Sequence, residues 1–425
     1  MTYNQITDKL LYWYDSCDRA MPWRGEQDPY KIWVSEIMLQ QTQVTTAHNY
    51  YLKWIDRFPN IKSVAEASID DILKYWEGLG YYSRARNFHE SCKVLNNQDS
   101  QVPVGVEKFE KLKGVGPYIA AAVQSIAFNI PIGVVDGNVN RVVSRFYAYK
   151  EIPSKNKNQI NDFMSFIIND KRPGDINQAI MDLGRYVCKP GTPLCDECPL
   201  GKGCEAFKLG IQSDLPTKVK KVKKPHYNVA VGIIWNKKKL LITKRKEDGL
   251  LGGLWEFPGG KIEKNETSNS AIKREIKEEL GVSINPYQHV KSIKHSYSHF
   301  SILMHAFHCN LVSGNPQPIG CEQFKWIKKG QLSSLPFPKA NHKIFDSIEC
   351  QSFLELDLIV SNPISRNTIS SPLYFNYCMI LLLNDLVESK KITMFDKVIL
   401  SSKTMSGYLE NLLIEKNINI NCISP

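Results

Sequence analysis

The chain has 425 residues, of which 43% are hydrophobic and 23% charged, enough for two or three domains that each bury a core. A net charge of +11 points to a polyanionic partner, most commonly nucleic acid. The opening MTYNQITDKLLYWY lacks a basic start before an apolar block, and the longest apolar run, near Met379–Leu383, is too short for a bilayer. Neither a signal peptide nor a membrane span is expected, and a cytoplasmic location is. Of 11 cysteines four are clustered, which suits a reducing compartment and a metal site.

Apolar spacing predicts a helix over 6–14, broken at Pro22-Trp23-Arg24. A second helical face follows in I-W-V-S-E-I-M-L-Q-Q-T-Q-V, from Ile32 to Val44. Glu36 lies near its apolar side. A carboxyl held against Trp33 and Ile37 keeps its proton, because desolvation disfavours the charged form. That is what a general acid needs near neutral pH; a solvated or salt-bridged glutamate is the plainer reading. Gln40 and Gln41 carry amides able to read base edges. In W-E-G-L-G-Y-Y-S-R-A-R, from Trp76 to Arg86, two glycines free a loop from which Leu79 and Tyr81 are expected to project. Aliphatic and aromatic wedges beside arginines suit the unstacking of a duplex step, the alternative being a buried tyrosine pair.

The segment 111–145, KLKGVGPYIAAAVQSIAFNIPIGVVDGNVNRVVSR, holds a hairpin between two helices. Gly114 and Gly116 are expected at positive φ or where backbone approaches something closely, with Pro117 in the first helical turn. Amides at such a hairpin form a site for phosphate. Asp136 follows as a sheltered carboxylate, or simply as the cap of the next helix. Further on, Cys188-x6-Cys195-x2-Cys198-x5-Cys204 admits zinc or a [4Fe–4S] cluster, although zinc sites usually contain two C-x2-C pairs. Lys189, Lys202 and Lys208 lie on or beside this loop. The lysine-rich stretch 215–226 is bounded by prolines and reads as an extended, mobile tether.

From Tyr227 the period becomes that of strands. Segments 229–235 and 240–243 read as a hairpin turned at Asn236-Lys237. Residues 260–282 supply Gly260, Glu266, Arg274, Glu275, Ile276, Glu278, Glu279, Gly281 and Val282 in the spacing G-x5-E-x7-R-E-U-x-E-E-x-G-U, a complete Nudix box. Glu275, Glu278 and Glu279 fall on one side of a helix, as oxygen ligands for Mg²⁺ or as a solvated acidic face. Past them come His295-Ser296-Tyr297-Ser298-His299-Phe300 and Pro338-Lys339-Ala340-Asn341; Asn341 suits a helix cap, and its segment resembles the one in MutT whose asparagine bonds the oxidised base. In the remainder, 357–360 and 397–400 read as strands, and 373–388 and 405–415 as helices.

Taken together, S-E-I-M-L-Q-Q-T-Q-V, the hairpin with V-D-G-N-V, and the cysteine spacing resemble the helix-hairpin-helix DNA glycosylases. That superfamily includes endonuclease III and the MutY adenine glycosylases, and the resemblance runs roughly from Ile6 to Ile348. It implies an all-α glycosylase domain (1–212) with a [4Fe–4S] loop (188–204), a linker (213–226) and an α+β Nudix-like domain (227–348). An αβ extension of unassigned role (349–425) follows. It implies Glu36 as the acid that protonates adenine, Asp136 as the carboxylate that stabilises or traps the sugar cation, and Tyr118 and Asn138 as positioning groups. Trp23 and Arg24 would lie at the pocket mouth, Gln40 and Gln41 near the lesion pair, and Leu79 and Tyr81 in the hole left by the flipped base. Gly114 and Gly116 would grip the phosphates. The lyase branch carries a lysine where this chain has Tyr118, which implies a monofunctional enzyme.

The second half resembles MutT and the C-terminal domain of MutY enzymes, where the box is commonly lost; here it is whole. Tyr297, Ser298 and His299 resemble that domain's 8-oxoguanine-recognition loop. The expected partner is double-stranded DNA with A:8-oxoG or A:G mispairs, bound by a monomer. Two further readings stand beside this one: a protein whose Nudix domain also hydrolyses 8-oxo-dGTP with Mg²⁺, and a non-catalytic lesion-binding protein.

Overall fold

The computed structural model describes residues 1–17, 21–168, 171–217, 224–236 and 239–348. The strands and helices expected in 349–425, the lysine-rich residues 218–223 and Lys237 of the expected turn lie outside them. The chain divides into two units, Met1–Lys223 and Lys224–Pro425.

The first unit is helical: α1 (Tyr3–Asp15), α2 (Pro29–Leu39), α3 (Val44–Arg57), α4 (Ile61–Glu66), α5 (Ile69–Trp76), α6 (Ser83–Asn96), α7 (Val106–Phe109), α8 (Pro117–Phe128), α9 (Gly137–Phe146), α10 (Lys157–Ile167), α11 (Pro173–Asp182) and α12 (Glu205–Lys208). The start of α2 follows from its sequence: Asp28 caps it by accepting from the Tyr30 amide at 2.9 Å, and Pro29 takes the first position. Apolar residues then surround it, so it is buried without a break from Ile32 to Met38. Trp33 packs edge-on to Phe88 and Phe109, with ring centres 4.6 and 5.1 Å apart. A second cluster joins α1 to α8, α9, α10 and α11 through Ile6, Leu10, Ala122, Val142, Phe163 and Ile180. Each of these side chains larger than alanine contributes about 1.5–3 kcal/mol on burial. Among the described residues no helix is long and apolar enough to cross a membrane.

Part of the expected tether is fastened to this unit. Leu215 is buried, and its carbonyl accepts from Arg145 Nε at 2.8 Å. Thr217 Oγ1 donates to the Lys150 carbonyl at 2.6 Å. Arg145 is only 2% exposed, so its guanidinium needs buried acceptors, and residue 215 supplies one.

The described residues of the second unit form a seven-stranded sheet of β1 (His226–Asn236), β2 (Lys239–Lys244), β3 (Trp255–Glu256), β4 (Gly259–Lys261), β5 (Ser283–Ser296), β6 (Ser301–Ser313) and β7 (Gln323–Ile327). The path runs β3-β2-β1-β6-β5, with β4 also paired to β1 and β7 to β2. The β1–β6 pair is parallel and the others are antiparallel. Helix α13 (Ser268–Leu280) contributes Ile272, Ile276 and Leu280 to one apolar cluster, and α14 (Lys339–Phe345) contributes Ala340 and Ile344 to another. Covered on both faces, β1 carries an unbroken buried run from Ala230 to Trp235.

Candidate active site

Helix α2 carries Glu36 inward because its neighbours leave it no polar face. Glu36 is 5% exposed, and its Oε2 accepts from the Tyr118 hydroxyl of α8 at 2.8 Å. Desolvation raises its pKa above the ordinary carboxyl range, with Asp136 adding; Tyr118, Arg24 and Arg185 act the other way. Burial also pushes Tyr118 well up, so it stays a donor. Asp136 is the N-cap of α9 and accepts from the amides of Asn138 at 2.8 Å and Val139 at 2.7 Å, and from Asn138 Nδ2 at 2.7 Å. The cap is therefore real, and it holds the carboxylate in one orientation. Glu36, Tyr118, Asp136 and Asn138 line a single cavity of about 610 Å³.

Trp23, Arg24 and Gln41 also line this cavity. Arg24 donates to Asp182 Oδ2 at 2.7 Å and to Gln178 Oε1. Gln40 is the C-cap of α2, and Gln41 turns the chain in the left-handed region at φ +55°.

The loop 77–82 differs from expectation. Tyr81 is half-exposed, under the Arg84 guanidinium, but Leu79 is buried at 8% exposure and does not project. The loop is tied by Trp76 Nε1 to the Gly80 carbonyl at 3.1 Å, and by the Gly78 amide to the Tyr82 hydroxyl at 3.1 Å. In the hairpin, Gly114 has φ +82°, and a Cβ there would meet Asn87 Cβ at 2.7 Å. Gly116 departs from its expectation: its φ is −94°, and nothing lies within 4 Å of where a Cβ would stand. It is the N-cap of α8, with space over its backbone.

The four clustered cysteines lie near enough for three of them to act on the fourth. The Cys198 thiol is pushed up to about 12 by burial, with Cys188, Cys204 and Cys195 adding to the effect. Arg145 Nη1 lies 3.3 Å from Cys188 Sγ, and Arg141 Nε donates to the Cys188 carbonyl at 2.8 Å. Half-buried thiols gathered on one loop are a donor set suited to a metal group carrying compensating charge. Among the described residues no three His, Cys, Asp or Glu side chains close around a single metal ion.

Residues 34–164 match the family described as HhH-GPD superfamily base excision DNA repair protein, and residues 230–347 match the NUDIX domain. An adenine DNA glycosylase from Schizosaccharomyces pombe is 33% identical over 400 residues, covering 77% of this chain and 86% of that one. The chain belongs to the adenine DNA glycosylase family. Its Homo sapiens relative is 30% identical over 395 residues, or 79% of this chain and 72% of that one. With the Arabidopsis thaliana relative the identity is 36% over 308 residues, which is 62% of this chain and only 48% of that protein's length.

The second unit of this family member has its own cavity, about 190 Å³, lined in part by Tyr227, Arg245, Glu256, Tyr297, Phe300 and Asn341. The Tyr297 and Phe300 rings stack at 4.7 Å. Asn341 is not a cap: Pro338 stands at that position of α14, while Asn341 is buried with Oδ1 accepting from the Phe257 amide at 3.3 Å. Ser298 and His299 are exposed in the turn between β5 and β6. The box carboxylates are engaged within the domain. Glu275 and Glu278 lie 3.0 and 3.3 Å from Arg274 Nη1, and Glu279 accepts from the Gly259 amide at 3.2 Å. Burial and the nearby Glu256 raise Glu279 to about 7.

Reading the sequence alone missed Gln178, Asp182 and Arg185, which complete the polar wall of the first cavity or brace it. Gln178 and Asp182 stand four residues apart on α11, a helical spacing legible in the sequence, whereas Arg185 lies beyond that helix in the turn Leu183–Val187.

Proposed function

We propose that the helical unit releases adenine from A:8-oxoG or A:G mispairs in DNA by hydrolysing the N-glycosidic bond. The observation that supports this best is the pairing, in one cavity, of a desolvated Glu36 with an oriented Asp136. The glycosidic bond is out of reach inside a duplex, so the base leaves the stack and enters the cavity. Glu36 gives its proton to adenine N7. The C1′–N9 bond then breaks, its electron pair going to the base, and positive charge develops on the sugar. Asp136, held by three donors, stabilises or traps that cation as the second carboxylate of a retaining glycosidase does, and water adds at C1′. Tyr118 fixes the Glu36 carboxyl. It offers no amine for a Schiff base, so the DNA backbone is left intact and borohydride trapping yields no adduct.

Within this reading Cys188, Cys195, Cys198 and Cys204 hold a [4Fe–4S] cluster. When bound, it supplies iron–thiolate bonds that cross-link the loop. Arg141 and Arg145 brace the Cys188 end, and Lys189, Lys202 and Lys208 offer charge to phosphates. The second unit reads the oxidised base through Tyr297, Ser298 and His299, and the internal pairing of Glu275, Glu278 and Glu279 supports a scaffold role for the box.

The test is single-turnover adenine release from an A:8-oxoG duplex by the full chain beside its Glu36→Gln variant. Release by the variant within about threefold of the unaltered chain rejects the assignment.

A further inference from the structure

One cation in the wall of the glycosylase cavity has no part in the chemistry above. Arg185 lies in a π turn, Leu183–Val187, that continues α11. Such turns displace the side chains that a regular helix would present and are frequent at functional sites. This one is fixed against the Asp136 cap. A Cβ at Gly184 would come within 2.6 Å of Asn138 Cβ and 3.1 Å of its Cα. Arg141 Nη2 donates both to the Gly184 carbonyl at 2.5 Å and to Asn138 Oδ1 at 2.9 Å. Arg185 therefore lines the cavity from a rigid base.

Its anchor is Asp182, whose side chain is fully buried. Oδ1 of Asp182 lies 3.4 Å from Arg185 Nη1, and Oδ2 lies 2.7 Å from Arg24 Nη2. Two arginines thus share one buried carboxylate. With Glu36 protonated, the charges of Arg24 and Arg185 balance those of Asp136 and Asp182. Once Glu36 has given up its proton, a further negative charge stands on a side chain 5% exposed. Water cannot compensate it there, so a fixed cation must.

We infer that Arg185, held by Asp182, is a positioning residue for the general acid, supplying the charge that compensates Glu36 as its proton passes to adenine. This rests on the assignment of Glu36 under the proposed function. The charged and titratable groups around Glu36 are Tyr118 from α8, Arg24 from the segment before α2, Asp136 at the start of α9, and Arg185. The two arginines favour its carboxylate, and Asp136 opposes it. Arg24 is already committed to both Asp182 and Gln178, whereas Arg185 has the longer anchor and can follow the new charge.

The experiment uses the full chain, Arg185→Gln and Arg185→Lys. Single-turnover adenine release is followed across pH, and binding to the uncleaved lesion duplex is followed across salt. Arg185→Gln is expected to slow release on the order of tenfold, the scale of one partly buried charge interaction. Losing the cation makes Glu36 hold its proton more tightly, so the limb on which rate falls with rising pH moves to higher pH. Arg185→Lys is expected to recover most of the rate and return the limb toward that of the unaltered chain. The salt slope of binding is expected to stay unchanged in both. A limb that does not move in Arg185→Gln overturns the inference, whatever the rate. So does a salt slope smaller by about one, the signature of a lost phosphate contact. Should Arg185→Gln fold poorly, the Lys variant carries the test, and a limb displaced as far as expected for Gln contradicts a role for the charge. Unaltered release by Glu36→Gln would instead sink the glycosylase reading, and this inference with it.

Discussion

Two desolvated glutamates, one buried and one half-buried, one in each unit, begin from the same physics and end differently. Glu36 and Glu279 are both raised above the ordinary carboxyl range, chiefly by loss of water. Glu36 receives one hydroxyl proton, from Tyr118, and opens onto a cavity of about 610 Å³ that also holds Asp136. Glu279 accepts from the Gly259 amide near the half-buried Glu256–Arg245 pair, and it is not among the residues lining the smaller cavity. A perturbed acid is thus common to both units. An acid facing a second carboxylate across room for a base is found only in the first of these two cavities.

That contrast can be broken most severely at Glu36. Glu36→Gln is expected to lower single-turnover adenine release by about 10²–10⁴-fold while lesion-duplex binding, followed by gel shift, stays near that of the unaltered chain. Glu279→Gln, the matching change in the second unit, is expected to leave release within about twofold, since no reacting group touches it. Equal losses in the two variants would erase the distinction.

Cys198→Ser is expected to remove the brown absorbance of the anaerobically purified protein and to weaken DNA binding on the order of tenfold, as the loop that presents Lys189, Lys202 and Lys208 loosens. A colourless preparation of the unaltered chain with stoichiometric zinc would assign the cysteines to another metal. Gly114→Ala forces a left-handed residue and a contact with Asn87, with an expected cost of about 1–2 kcal/mol in chemical denaturation and weaker duplex binding. Smaller still is the expected effect of Ser298→Ala with His299→Ala: a loss of about three- to tenfold in the preference for 8-oxoG over G opposite adenine, the scale of one or two hydrogen bonds. Unchanged relative rates on the two duplexes would place recognition elsewhere.

Much of this was legible in the sequence where a residue type is forced by its neighbours. The apolar run around Glu36 dictated a buried helix, and Pro117 with Gly116 marked the start of α8. The change to period-two spacing at Tyr227 announced the sheet. Legibility failed where side-chain direction is set by tertiary contacts. Leu79 reads as a wedge in a glycine loop, yet the hydrogen bonds of Trp76 and Tyr82 fold that loop back and bury it. Leu215 reads as tether, yet buried Arg145 claims its carbonyl. Asn341 stands three residues past the cap of α14, and Gly116 caps α8 at negative φ instead of turning the hairpin. Arg185 went unread because a π turn shifts its side chain in a way that no helical spacing encodes.

The central claim is that a desolvated Glu36 delivers the proton that frees adenine. It is tested most directly by the pH dependence of single-turnover adenine release by the full chain. A general acid acts only while protonated, and burial raises the pKa of Glu36 above that of an ordinary glutamate. The rate is therefore predicted to hold at a pH where an exposed glutamate would already be ionised, to fall as pH rises through the raised value, and to lose that limb in Glu36→Gln. A falling limb that persists unchanged in Glu36→Gln, at a comparable rate, would contradict the account.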